Sequence, residues 1–221
     1  MLKKILIGLS AAFALLIVVL VGRALMLPGA SNLAQTSPAI DASSADAMAM
    51  ANRLGEAIRL ETVSWGDREI DAAAFSAFAA FLERSYPAAH AAMTRETVNG
   101  HSLLYRWKGT GGAPPIGFIA HIDVVPVEAG TEAGWTHGAF SGAVADGAVW
   151  GRGAMDNKGQ LIAMMEAAER LAASSFAPST DIYFLYGHDE EVGGVSGAAE
   201  IRKLLDGRGV RFAFTLDEGS G

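Results

Sequence analysis

The sequence predicts an α/β fold, with a mostly parallel central sheet covered by helices on both faces and preceded by one transmembrane helix. Three observations carry that expectation. From Ala45 onward, apolar runs of strand length alternate with longer segments of helical periodicity, the pattern of strands joined by crossover helices. Several of those runs end on His, Asp or Glu, as open α/β sheets gather functional groups at one end of their strands. Ahead of them, Ile5–Gly22 is an uncharged apolar stretch of 18 residues.

That stretch belongs to a segment spanning residues 1–27. As a helix it would reach about 27 Å, against a bilayer core of roughly 30 Å. Lys3 and Lys4 precede it and Arg23 follows, so the charge asymmetry places the N-terminus in the cytoplasm and exports the rest. A cleaved signal peptide is the competing reading, but its apolar region usually runs about 7–15 residues, and PGASN offers no small-x-small cleavage site. Both readings place the folded part outside the cytoplasm, on the periplasmic or extracellular side, membrane-anchored in the first and secreted in the second. Residues 28–44, small, polar and Pro-containing, read as a linker; residues 45–221 are the folded part.

Within it, Ala45–Leu60 carries Met48, Ala51, Leu54 and Ile58 on one helical face, and Ile70–Leu82 carries Phe75, Phe78, Phe81 and Leu82. Such stripes are core-facing. Ser102–Trp107 and Ile116–Ala120 are strands, the second ending at His121. Residues 129–142, rich in Gly, read as loop. Ala148–Trp150 is a short strand, Gln160–Ala172 a helix, Asp181–Tyr186 a strand, Val195–Leu205 a helix and Val210–Leu216 a strand.

Composition narrows the function. The formal charge is -7, and 17 scattered Lys and Arg are outnumbered by 24 acids, which argues against a nucleic-acid partner. With no cysteine, disulfides and cysteine catalysis are excluded. Gly151-Arg152-Gly153 lacks the third glycine of a dinucleotide loop, and Lys158-Gly159 is not a phosphate loop.

What remains is a set of hard ligands: His121 and Asp123 in AHIDVVPV, Asp156 in WGRGAMDNKG, Glu190 and Glu191 in YGHDEEVGG, and Asp217 in TLDEG. His121 to Asp156 is 35 residues, Asp156 to Glu191 is 35, and Glu191 to Asp217 is 26. Each interval holds about one helix and one strand, so each candidate would emerge at the same end of the sheet. One imidazole among several carboxylates suits one or two Zn²⁺ ions better than a thiolate-rich structural site does. The bland readings are a helix-start carboxylate for Asp156 and solvated loop acids for Glu190 and Glu191. His90, His101 and His137 read as surface, and His188 as a satisfied structural histidine.

Taken in order, AHIDVVPV, WGRGAMDNKG, YGHDEEVGG and GVRFAFTLDEG resemble the carboxypeptidase S and N-acyl-amino-acid hydrolase branch of the aminoacylase-type dinuclear zinc metallopeptidases, over about residues 47–221. The resemblance implies that His121 binds one zinc and is oriented by Asp123, and that Asp156 bridges two zinc ions. It implies Glu190 as general base and Glu191 as a ligand of the second zinc. Asp217 would complete the first, with Glu218 as the adjacent alternative. It further implies a cis peptide bond between Asp156 and Asn157, and a peptide or N-acyl amino acid as substrate.

Such enzymes also carry a further histidine ligand near the C-terminus of the catalytic domain, and an inserted lid through which homodimers form. The present chain stops at Gly221, before either, and reads as the N-terminal part of such an enzyme, inactive by itself. A membrane-anchored remnant without turnover is the alternative.

Overall fold

A computed structural model describes residues 2–26 and 44–219, in two units, Met1–Asp41 and Ala42–Gly221. In the first, α1 (Leu2–Met26) is a helix of 25 residues. Its apolar side chains from Leu9 to Val21 are exposed. The transmembrane helix expected over Ile5–Gly22 is not borne out as a span: among the described residues no helix is long and apolar enough to cross a membrane. The expected linker, 28–44, lies outside the described residues except for Ser44.

The second unit runs α2 (Ala45–Arg59), α3 (Ala72–Ser85), α4 (Pro87–Ala92), β1 (Met93–Val98), β2 (Ser102–Trp107), β3 (Ala113–His121), β4 (Ala143–Ala145), β5 (Ala148–Trp150), α5 (Lys158–Ala173), β6 (Thr180–Gly187), α6 (Ala198–Gly207) and β7 (Phe214–Leu216). Side-chain oxygens start two of the helices: Ser44 accepts from the Ala47 amide and Asp71 from Ala73 and Ala74, as N-caps should. The main sheet has the order β1-β2-β6-β3-β7, and β4-β5 form a separate pair.

The main sheet is mixed, where a mostly parallel one was expected. β1–β2 and β2–β6 pair antiparallel, whereas β6–β3 and β3–β7 pair parallel. The antiparallel half arises because β1 and β2 form a hairpin, whose return strand then pairs with β6.

Period-two alternation divides the strands between two cores. Leu103, Tyr105, Trp107, Ala120, Phe184 and Tyr186 face a cluster with Phe75, Phe78, Phe81, Leu161 and Met165 from α3 and α5. Leu104, Tyr183 and Leu185 face the other side, where Ile201 and Leu205 of α6 cover them. Helices thus cover both faces, as the sequence predicts. A buried carboxylate ties the larger side together. Glu166 on α5 accepts from Arg53 of α2, with Nη2 at 2.8 Å, and from the Tyr86 hydroxyl at 3.1 Å. His101, expected at the surface, is half-buried against Phe75 and His188; His90 is also half-buried, 3.2 Å from the Tyr105 hydroxyl.

Candidate metal centre

Strands β6, β3 and β7 run parallel, so their C-terminal ends lie together. His121 is the last residue of β3, residues 188–191 follow β6, and Asp217 and Glu218 follow β7. Asp156 arrives from the segment ahead of α5.

His121 is buried, 2% exposed, and its two ring nitrogens have different partners. Nδ1 lies 3.0 Å from the main-chain carbonyl oxygen of Asp123 and 3.4 Å from that residue's carboxylate. Nε2 lies 2.9 Å from Asp156 Oδ1, 3.6 Å from Glu218 Oε1 and 3.9 Å from Glu190 Oε2. Donor atoms of His121, Asp156 and Glu218 all fall within 4.8 Å of one another, the spacing of a candidate cation site. The imidazole is buried, whereas the Asp156 and Glu190 side chains are 69% and 51% exposed, so the cluster opens outward.

Asp123 has a second task. One carboxylate oxygen accepts from the Glu190 amide and the other from the Glu191 amide, both at 3.1 Å. It therefore fixes the turn that presents the two glutamates, while its carbonyl oxygen, more closely than its carboxylate, orients His121. Burial would raise the Asp123 carboxyl, but bonds from His121, Ser64 and the Glu190 amide hold it below its ordinary range. For His121, burial works downward, and Asp123, Glu218 and Asp156 together carry it up to about 9. Glu190 is raised by burial and by the Glu218, Asp123 and Asp156 carboxylates, against the opposing pull of His121; Glu191 is raised by burial and Asp156.

Several expected residues take specific places. Asp156 does not cap α5; the cap position is Asn157, and Asp156 turns instead to His121. The Asp156–Asn157 bond is cis. Glu191 is outside the group of donors clustered at His121 and accepts from the Val125 amide at 3.2 Å. Asp217, expected to complete the ligand set, accepts from the Glu218 amide at 2.9 Å, and it is Glu218 that stands in the cluster. The Asn157 side-chain amide donates to Glu218, a contact that sequence reasoning missed although Asn157 directly follows Asp156. His188 is buried, with Ser102 Oγ 2.6 Å from its Nδ1, the structural role expected of it. His137 is half-buried on Trp150. Lys158, set aside in the sequence reading, is fully buried, and burial pushes its amine down to about 7.

Two depressions border the cluster. One, of about 330 Å³, is lined by His121, Glu190, Gly193, Gly194, Asp217 and Glu218 among others. The other, of about 560 Å³, includes Met155, Asp156, Asn157, Gln160, Glu190 and Glu218. Glu190 and Glu218 form part of both walls.

With known proteins the likeness runs along most of the folded part. The chain is 41% identical over 175 residues to a probable carboxypeptidase S-like protein of Dictyostelium discoideum, covering 77% of this chain and 33% of that protein. It is 38% identical over 176 residues to an N-fatty-acyl-amino acid synthase/hydrolase of Bos taurus, covering 78% and 34%. The chain thus spans about a third of the length of these relatives. In fold it resembles a metallo-carboxypeptidase of Sulfolobus solfataricus, with a TM-score of 0.61 at 20% identity over 78% of this chain and 37% of that one. Residues 117–221 match Peptidase family M20/M25/M40, and the chain belongs to that family.

Proposed function

We propose that this chain supplies metal ligands and the general base, Glu190, of a zinc-dependent amide hydrolase acting on a peptide C-terminus or an N-acyl amino acid. One observation carries the reading. Three carboxylates crowd a single imidazole nitrogen at 2.9–3.9 Å, a concentration of negative charge that a hard divalent cation neutralises. Imidazole and carboxylate oxygen are the donors of catalytic zinc sites. His121, Asp156 and Glu218 would hold one ion, and Glu191 would help hold a second.

Bound there, zinc would polarise the amide carbonyl and make a neighbouring water more acidic. The chain's own residues supply the rest. Glu190, with its pKa raised toward the working range of a base, accepts the proton of the attacking water and passes it to the leaving nitrogen. Asp123 keeps Glu190 in place by holding its backbone amide. The two depressions leave room for the groups on either side of the scissile bond. Relatives named as a carboxypeptidase S-like protein and as an N-fatty-acyl-amino acid synthase/hydrolase support both substrate classes.

The test measures zinc-dependent release of amino acid from N-acyl amino acids and small peptides by a protein that contains this segment. Glu190→Gln should keep its zinc and lose at least about 100-fold in turnover, the usual worth of a general base. Substantial activity in that variant would remove Glu190 from the role. Asp217 and Glu218 are separated by comparing zinc affinity in Asp217→Asn and Glu218→Gln; the geometry assigns the larger loss to Glu218→Gln.

Export belongs to the same proposal. The exposed apolar side chains of α1, with Lys3 and Lys4 before them, support a segment that directs the rest of the chain out of the cytoplasm. A reporter fused after Ser44 should be active in its exported state; activity confined to the cytoplasm would refute this.

A further inference from the structure

We propose that Lys158 is a positioning residue for the metal cluster, bracing the end of α2 against the loop that carries Asp156 and so fixing Asp156 relative to His121. The inference rests on the metal-binding reading above. Lys158 is fully buried, and a buried ammonium is costly unless its donors are engaged. Its Nζ donates to the carbonyl oxygens of Ala57 at 2.9 Å and Leu60 at 2.6 Å and lies 5.3 Å from the centre of the Phe78 ring. Ala57 lies in the last turn of α2 and Leu60 is its C-cap, so Lys158 serves carbonyls at the end of the helix, where the regular backbone partners run out.

The geometry then runs in two directions. From Leu60 the chain continues to Thr62, whose hydroxyl donates to the Ile122 carbonyl at 2.7 Å and whose carbonyl accepts from the Val124 amide at 3.0 Å. Ile122 sits between His121 and Asp123, so this bridge fixes the backbone that presents the imidazole. In the other direction, Lys158 follows Asp156 by two residues. The loop ahead of Asp156 rests on its stem: a Cβ added at Gly153, whose φ is +85°, would come within 3.2 Å of Lys158 Cδ and 2.7 Å of Val124 Cγ1. Lys158 therefore joins the two sides of the 2.9 Å contact between His121 and Asp156.

The test uses the full chain, with zinc as the probe. Zinc affinity is read by competition with a chromophoric chelator, and folding by circular dichroism in the absence of metal. Lys158→Met keeps the stem and removes the donors. At a temperature where it is folded, its zinc affinity should fall by about 10–100-fold, as for other groups that orient metal ligands. Leu161→Ala, which removes a fully buried side chain one turn along the same helix, should lower the melting temperature and leave zinc affinity unchanged.

Zinc affinity within twofold of the parent in folded Lys158→Met would overturn the proposal. So would an equal loss of affinity in Leu161→Ala. Should Lys158→Met not fold, Lys158→Leu, which also removes the donors, is read by the same two outcomes. A parent chain that takes up no zinc would overturn the metal-binding reading itself, and this inference with it.

Discussion

His121 meets two kinds of oxygen, and the difference sets its chemistry. Its Nδ1 faces a main-chain carbonyl, which accepts a hydrogen and so leaves Nε2 as the nitrogen for a cation or a proton. Without metal the surrounding carboxylates favour the proton, with the pKa at about 9. Since this lies above the roughly 6.5 of an unfolded histidine, protonation adds its full stability below about pH 6.5, and the gain is lost as pH rises through about 9. A cation held at Nε2 would have to displace that proton. Calorimetry at pH 7 in two buffers of different ionisation enthalpy should therefore show about one proton released per ion bound; binding heats independent of buffer would contradict the assignment. The sequence made His121, Asp156 and Glu190 legible, because each is a ligand-type residue beside a strand or helix boundary. It could not choose between Asp217 and Glu218. Both follow the end of β7 at Leu216, so the path of the chain beyond the strand, which no periodicity encodes, decides which of the two carboxylates turns to His121.

Among the elements, the β1–β2 hairpin shows both what local chemistry encodes and what was overlooked. Met93–Val98 is exposed at all but its two end residues, so it lacks the apolar run that marks a buried strand. Its signal lies in the turn. Asn99 and Gly100 both adopt positive φ, 46° and 90°, and an Asn-Gly pair between strand-like segments is a strong hairpin mark. Gly100→Ala should cost about 1 kcal/mol, because alanine resists that region. Urea unfolding checks this, and an unchanged midpoint would show the turn tolerant. α4 was missed for a related reason: Pro87 reads as a helix stop, yet it occupies the first turn of the next helix, where its missing N–H is harmless. The expected strand Val210–Leu216 shortens to Phe214–Leu216 because its ladder with β3 spans only Ile116–Phe118.

In the second unit as a whole, the site depends on three strands that run the same way. Of the intervals of 35, 35 and 26 residues, the last two each run through a helix and return by a strand, α5 and β6 and then α6 and β7. The first holds the separate β4-β5 pair, and Asp156 reaches His121 from the segment ahead of α5. That logic concerns the parallel β6-β3-β7 half, and this half was legible. The antiparallel β1-β2 half was not, since pairing partners are settled by packing between segments distant in sequence. The ends of these strands, with the segment ahead of α5, bring together the candidate cation site around His121. Equilibrium dialysis of the purified chain against zinc tests that site most directly. The parent should retain zinc, His121→Ala and Asp156→Ala should lose it, and Glu190→Gln should keep it. A parent that binds none, or a His121→Ala variant that binds as the parent does, would contradict a cation site at His121.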